Sequence, residues 1–177
     1  MKNFLSIDQG TTSSRSIIFD ANLNLVTDAQ EEYDLTYPED GWVELEPKKI
    51  IETVTNTLNK VVSADIDLEA CGITNQRETT IVWSKATGEA IYPGIVWQDR
   101  RTHEYCSYLK SNGHEPAIKE KTGLLLDPYF SATKIKWILD NVDGAREKAS
   151  KGELLFGTVD SYLIYMLSKE KNHFTDV

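Results

Sequence analysis

The sequence predicts a mixed α/β fold, and three observations carry that prediction. Short alternating runs joined by polar turns open the chain, a helical period takes over after Glu46-Pro47, and a compact apolar run follows at Ala70 to Thr74. Antiparallel strands first, then a helical crossover into a strand that reads as buried and parallel, make a mixed sheet.

In order, Phe4-Leu5-Ser6-Ile7 ends at Asp8-Gln9-Gly10-Thr11-Thr12, and Arg15 to Asp20 follows at once. A third run, Leu25 to Tyr33, comes after the polar turn Asp20 to Asn24, so these residues read as an antiparallel meander. Ile50, Val54, Leu58 and Val61 then mark one helical face, with Pro47 suited to its first turn. Ala70 to Thr74 predicts a buried strand, Thr79 to Trp83 a second, and Ile91 to Trp97 a third beyond the turn at Lys85 to Glu89. Thr102 to Ser111 reads as a helix stopped near Gly113, and Thr133 to Asn141 as an amphipathic helix whose Trp137 belongs to the core. Glu153 to Gly157 predicts a strand, and Val159 to Leu167 a largely buried helix. No repeat and no Ser/Gly-rich linker marks a second domain, and the extended run at His173 to Val177 reads as a truncation.

Of the 177 residues, 40% are hydrophobic and 27% charged, a balance that suits one globular domain. No apolar run approaches the ~20 residues that cross a bilayer. Asp8 interrupts the N-terminus before a signal-peptide core could form, so the expected location is the cytosol. Cys71 and Cys106 are too few for a disulfide scaffold and read as reduced thiols. His103, His114 and His173 show no metal-ligand spacing. A net charge of −9 argues against nucleic acid as partner. An anionic ligand must then be gripped locally, by backbone amides, a single arginine or a metal ion such as magnesium.

Asp8-Gln9-Gly10-Thr11-Thr12-Ser13-Ser14-Arg15 is where chemistry first suggests itself. An acid ends a strand, a glycine permits a tight reversal, and two threonines and a serine add hydroxyls on the return. That is a concave donor set fit for phosphate, with a carboxylate nearby to hold magnesium. No glycine-lysine pair opens a helix, so it is not a P-loop. Taken alone, Asp-X-Gly-Thr also reads as a plain polar turn.

The whole string resembles the phosphate-binding hairpin of the actin, Hsp70 and sugar-kinase superfamily, and within it the FGGY carbohydrate kinases. The resemblance implies a ribonuclease H-like (actin-like ATPase) domain that uses ATP and Mg. It puts Thr11, Thr12, Ser13 and Arg15 on the ATP phosphates and lets Asp8 position the magnesium through water.

Gly72 to Trp83, with Asn75-Gln76-Arg77-Glu78-Thr79 inside it, is similar to the branch of that family that phosphorylates glycerol. Glycerol is small, neutral and dense in hydroxyls, and charge-assisted bonds hold such a ligand best. Arg77 supplies a cationic donor and Glu78 an anionic acceptor. Neighbours on a regular strand face opposite ways, so the pair must lie in a bend between strands. A lone Arg-Glu pair would read as a solvated turn; the twelve-residue string favours the substrate role.

Tyr92 to Arg101 also resembles the family, which implies that Trp97 packs against the glycerol carbons. Gly123 to Lys134 does so too, which implies that the Tyr129 hydroxyl bonds the substrate. Asp99 and Asp160 receive no role. The resemblance runs from Phe4 to Asp176 and covers the first part of such a kinase. It implies that the catalytic base (an aspartate) and the adenine pocket lie downstream, that these residues alone show no turnover, and that the full-length protein is a homo-oligomer. Two other readings stay open: an FGGY kinase of another sugar or polyol, and a non-catalytic polyol- or nucleotide-binding module.

Overall fold

The computed structural model describes residues 2–63 and 65–175. The chain opens with β1 (Asn3–Gln9), β2 (Ser13–Asp20), β3 (Leu25–Glu32), β4 (Glu44–Leu45) and α1 (Pro47–Val61). It continues through β5 (Leu68–Asn75), β6 (Ile81–Ser84), β7 (Gly94–Ile95), α2 (His103–Ser111) and α3 (Glu115–Thr122). It closes with α4 (Ser131–Asn141), α5 (Ala145–Ser150), β8 (Leu154–Gly157) and α6 (Val159–Leu167). Its contacts divide it into two compact units. Met1–Leu35, Glu46–Arg77 and Val159–Val177 make the first; Thr36–Leu45 and Glu78–Thr158 make the second. No linker composition signals this division, because the chain passes between the units several times.

The first unit holds a sheet of order β3-β2-β1-β5. β1, β2 and β3 pair antiparallel, as the alternation predicts, and β5 joins β1 in parallel after α1. Pro47 stands at the start of α1, where Glu46 caps the amide of Lys48. The helix lies over β2 and β3 and buries Ile50, Val54 and Val61. Hydroxyl pairs line part of this contact: Ser14 Oγ meets Thr53 Oγ1 at 2.8 Å, and Ser16 Oγ meets Thr57 Oγ1 at 2.9 Å. Small side chains let strand and helix approach while each buried oxygen keeps a partner.

β5 departs from expectation. It exists and is parallel, but Glu69, Ala70, Cys71 and Gly72 are exposed instead of buried. β5 stands at the edge of the sheet that these residues form, paired with β1 alone among the described residues. Cys71 is accordingly an exposed thiol and Cys106 a buried one; neither is in a disulfide.

In the second unit β6 pairs antiparallel with β8, and β4 with β7. The predicted strand at Ile91 to Trp97 shrinks to Gly94–Ile95, since Pro93 has no amide hydrogen to give a ladder. Gly94 is needed there, because a Cβ would lie 2.9 Å from Leu45 Cδ1. Val82, Ile95 and Ile138 form a core cluster with Tyr92 and Trp137 against it. Beside it the buried Arg101 guanidinium lies 3.9 Å from the Trp42 ring centroid and 4.6 Å from that of Trp137. Glu44 and Asp99 each meet it at 2.8 Å, which satisfies a charge that would otherwise be costly to bury. Asp99 also accepts from the Val43 amide at 2.7 Å, so its work is structural. α3 and α5 were not expected. Among the described residues no helix is long and apolar enough to cross a membrane.

Candidate functional site

β1 brings Asp8 to its C-terminal end, and the chain reverses through residues 10 to 12 before β2 begins at Ser13. The Gly10 amide donates to the Ser13 carbonyl at 2.8 Å, and a Cβ on Gly10 would sit 3.3 Å from that oxygen. The turn is therefore tight, as its sequence predicts. Beneath it the Gly10 carbonyl accepts three bonds: from Gln9 Nε2 at 2.7 Å, the Tyr33 hydroxyl at 2.6 Å and Gln76 Nε2 at 3.0 Å. Gln76 Nε2 also lies 3.1 Å from Gln9 Oε1 and 3.0 Å from the Tyr33 oxygen. Burial pushes the Tyr33 phenol up to about 12, against the hydrogen bonds it receives from Gln9 and Gln76, so near neutral pH it remains a donor. This neutral cluster props the hairpin from below, and sequence reading missed it.

Above the cluster, Thr12 is exposed, and Gly10, Thr11 and Ser13 are half-buried. Three details bear on the phosphate role. The Gly10 amide is spent inside the turn and is not available to a phosphate. Asp8 is exposed, with Arg15 of β2 and Thr74 of β5 paired on either side of it. Arg15 is engaged with β3, its Nε and Nη2 meeting Asp28 Oδ2 at 2.9 and 2.6 Å. Asp8 forms no salt bridge among the described residues. A lone carboxylate beside hydroxyls suits magnesium held through water. No cluster of three His, Cys, Asp or Glu side chains able to hold a metal directly occurs among the described residues.

Arg77 and Glu78 form the turn between β5 and β6, the bend their adjacency requires. Arg77 is exposed and closes the first unit; Glu78 opens the second. Glu78 has φ +65°, a left-handed conformation rare for a residue with a Cβ. It is held from several directions. Ser131 donates to Oε2 through its amide at 3.1 Å and its hydroxyl at 2.9 Å. Lys134 Nζ donates to the Glu78 carbonyl at 2.8 Å and to the Tyr129 carbonyl at 2.7 Å. Among the described residues nothing donates to Oε1, which leaves an anionic acceptor open.

Tyr129 is set by an Asx turn, its amide donating to Asp127 Oδ1 at 2.9 Å. Its ring meets Trp97 edge-on, with centroids 6.2 Å apart and planes at 69°. Trp97 is 37% exposed, which rules out a plain core aromatic, and its amide bonds Thr79 Oγ1 at 3.2 Å. The structure thus gathers Glu78, Trp97 and Tyr129 into one cluster: a carboxylate, an apolar wall and a phenol. Such a set can accept from hydroxyls at one edge of a ligand while an aromatic face covers its carbons. Sequence reading missed Ser131 and Lys134. The signal for Lys134 was its place four residues before the buried Ile138, on the face of α4 where an apolar residue belongs.

Solved sugar kinases share this backbone. The crystal structure of Plasmodium falciparum glycerol kinase with ADP superposes at TM-score 0.89 and 34% identity, over 96% of this chain and 35% of that one. Xylulose kinase from Rhodospirillum rubrum does so at TM-score 0.81 and 20% identity, over 94% of this chain and 34% of its own. The fold is the actin-like ATPase fold of carbohydrate kinases. The model of the FGGY family of carbohydrate kinases, N-terminal domain, matches residues 3–177, and the chain belongs to that family. Glycerol kinases from Cereibacter sphaeroides and Oceanobacillus iheyensis are each 57% identical to it over 179 aligned residues, or 99% of this chain. The chain spans 36% of the length of those relatives.

Proposed function

We propose that the protein containing this chain transfers the γ-phosphate of ATP to glycerol. The observation that carries the reading is the grouping of Glu78, Trp97 and Tyr129: Lys134 joins the Glu78 and Tyr129 backbones, the Tyr129 ring meets Trp97, and one Glu78 oxygen accepts from no described residue. The 57% identity to glycerol kinases supports the choice of polyol. In this reading Glu78 accepts from glycerol hydroxyls, Arg77 and Tyr129 donate to them, and Trp97 covers the carbons. Thr11, Thr12 and Ser13 serve the ATP phosphates, and Arg15, whose Nε and Nη2 pair with Asp28, joins them. Asp8 positions magnesium, which when bound neutralises phosphate charge. The proton-accepting aspartate and the adenine pocket lie in the remainder of the protein. Positioning and charge compensation do most of the work in such a transfer.

A coupled ADP-release assay on the full-length protein tests this with glycerol, xylulose and gluconate offered separately. Glycerol should give the highest kcat/KM. A higher value with either sugar substrate would replace glycerol, and no release with any of them would leave a non-catalytic binding module.

A further inference from the structure

Among the described residues Lys134 is the only lysine fully buried from solvent. A buried ammonium ordinarily finds a carboxylate, yet Lys134 forms no salt bridge among the described residues. Its Nζ instead donates to two carbonyls, those of Glu78 and Tyr129, from segments far apart in sequence. Packing alone does not call for a cation here, since an apolar side chain one turn before Ile138 would fill the same face of α4. Burial lowers its pKa to about 8 despite the nearby charges of Glu78, Asp99 and Asp127, which fits a group held against its own desolvation cost. One of the two backbones it grips is the left-handed Glu78, a conformation that persists only when its surroundings over-determine it.

Resting on the glycerol reading above, we infer that Lys134 is a positioning residue: it touches no substrate but ties the backbones of Glu78 and Tyr129 to α4, fixing the carboxylate and the phenol at one spacing. Ser131, on the first turn of the same helix, fixes the Glu78 carboxylate itself. One helix therefore sets both the backbone and the side-chain position of the polyol acceptor.

The test uses the full-length protein and the variants Lys134→Met, Glu78→Gln and their combination, with glycerol and ATP varied separately. Lys134→Met should raise KM for glycerol at least ~10-fold, with KM for ATP within about twofold of wild type. It should add little on top of Glu78→Gln, because both act through one contact. Equal changes in both KM values, or full additivity, would overturn the inference. Should Lys134→Met fail to fold, Lys134→Arg keeps a buried cation with displaced donors and is read by the same split. Amide exchange gives a readout without turnover: segments 76–80 and 127–132 should exchange faster in the variant and the rest should not. Unchanged exchange there, or uniform loosening, would also overturn it. A wild-type protein that ignores glycerol yet shows the local exchange pattern would count against the proposed function and leave the tether standing.

Discussion

The hairpin at Gly10 and the cluster at Glu78 are both turns at strand ends, but they are braced by opposite means. Under the hairpin lies a neutral set, Gln9, Tyr33 and Gln76, converging on one carbonyl. Behind the cluster lies a buried cation that grips two carbonyls. The difference follows the ligand each turn is read to serve. A fixed cation beneath the hairpin would compete with magnesium for Asp8, so neutral donors are the compatible brace. A neutral polyol brings no charge, and there a buried lysine can stand behind an anionic acceptor without repelling the ligand.

The comparison breaks most visibly at Glu78. Glu78→Gln keeps the shape and removes the charge, and a charged acceptor is worth ~1.5–3 kcal/mol against ~1 for a neutral one. Steady-state kinetics of the full-length protein should show kcat/KM for glycerol down ~10-fold or more, with KM for ATP little changed. Equal loss for both substrates would make Glu78 a structural residue. On the hairpin side, Tyr33→Phe removes one of three donors from the Gly10 carbonyl and one acceptor from each of Gln9 Nε2 and Gln76 Nε2. Thermal or urea unfolding should register a loss of ~1–3 kcal/mol. An unchanged midpoint would mean that Gln9 and Gln76 hold the turn unaided.

How much of this was legible in the sequence divides along the same line. The meander was readable because alternation and polar turns are local signals. α1 was readable because Pro47 and the spacing of Ile50, Val54 and Val61 agree. α3 and α5 were not, since α3 buries none of its side chains and α5 only Ala145, leaving no apolar face to detect. β5 read as buried because Ala70, Cys71 and Gly72 carry no charge, whereas burial depends on what packs beyond β5, which local composition does not encode. Glu78, Trp97 and Tyr129 were found through motif resemblance; no periodicity marks them. Lys134 and Tyr33 act through backbone carbonyls, which leave no trace in side-chain patterning.

A pH-dependent effect sharpens the contrast between braces. The folded pKa of Lys134, about 8, lies below the ordinary lysine value of ~10.4. Between those values the unfolded chain holds a proton that the folded chain has released, so stability rises with pH; below 8 both states hold it and the burial cost is fully present. Wild type should therefore gain on Lys134→Met by up to ~3 kcal/mol as pH climbs from 8 towards 10.4, measured by unfolding at each pH. A flat difference would mean that the ammonium is better compensated than its two carbonyl partners and the charges of Glu78, Asp99, Asp127 and Arg101 indicate. Smallest of all is Arg15. Its pair with Asp28 is partly exposed, so Arg15→Gln should shift stability by less than ~1 kcal/mol. A rise in KM for ATP in that variant would show that Arg15 leaves Asp28 for phosphate.

On this reading the hairpin serves the nucleotide and the Glu78 cluster serves the polyol, each with its own brace. Calorimetric titration tests it most directly, with glycerol and a non-hydrolysable ATP analogue each added to full-length Glu78→Gln and Tyr33→Phe. Glu78→Gln should lose glycerol affinity and keep the analogue, and Tyr33→Phe should do the reverse. If either variant weakens both ligands equally, the two turns do not have the separate roles assigned to them.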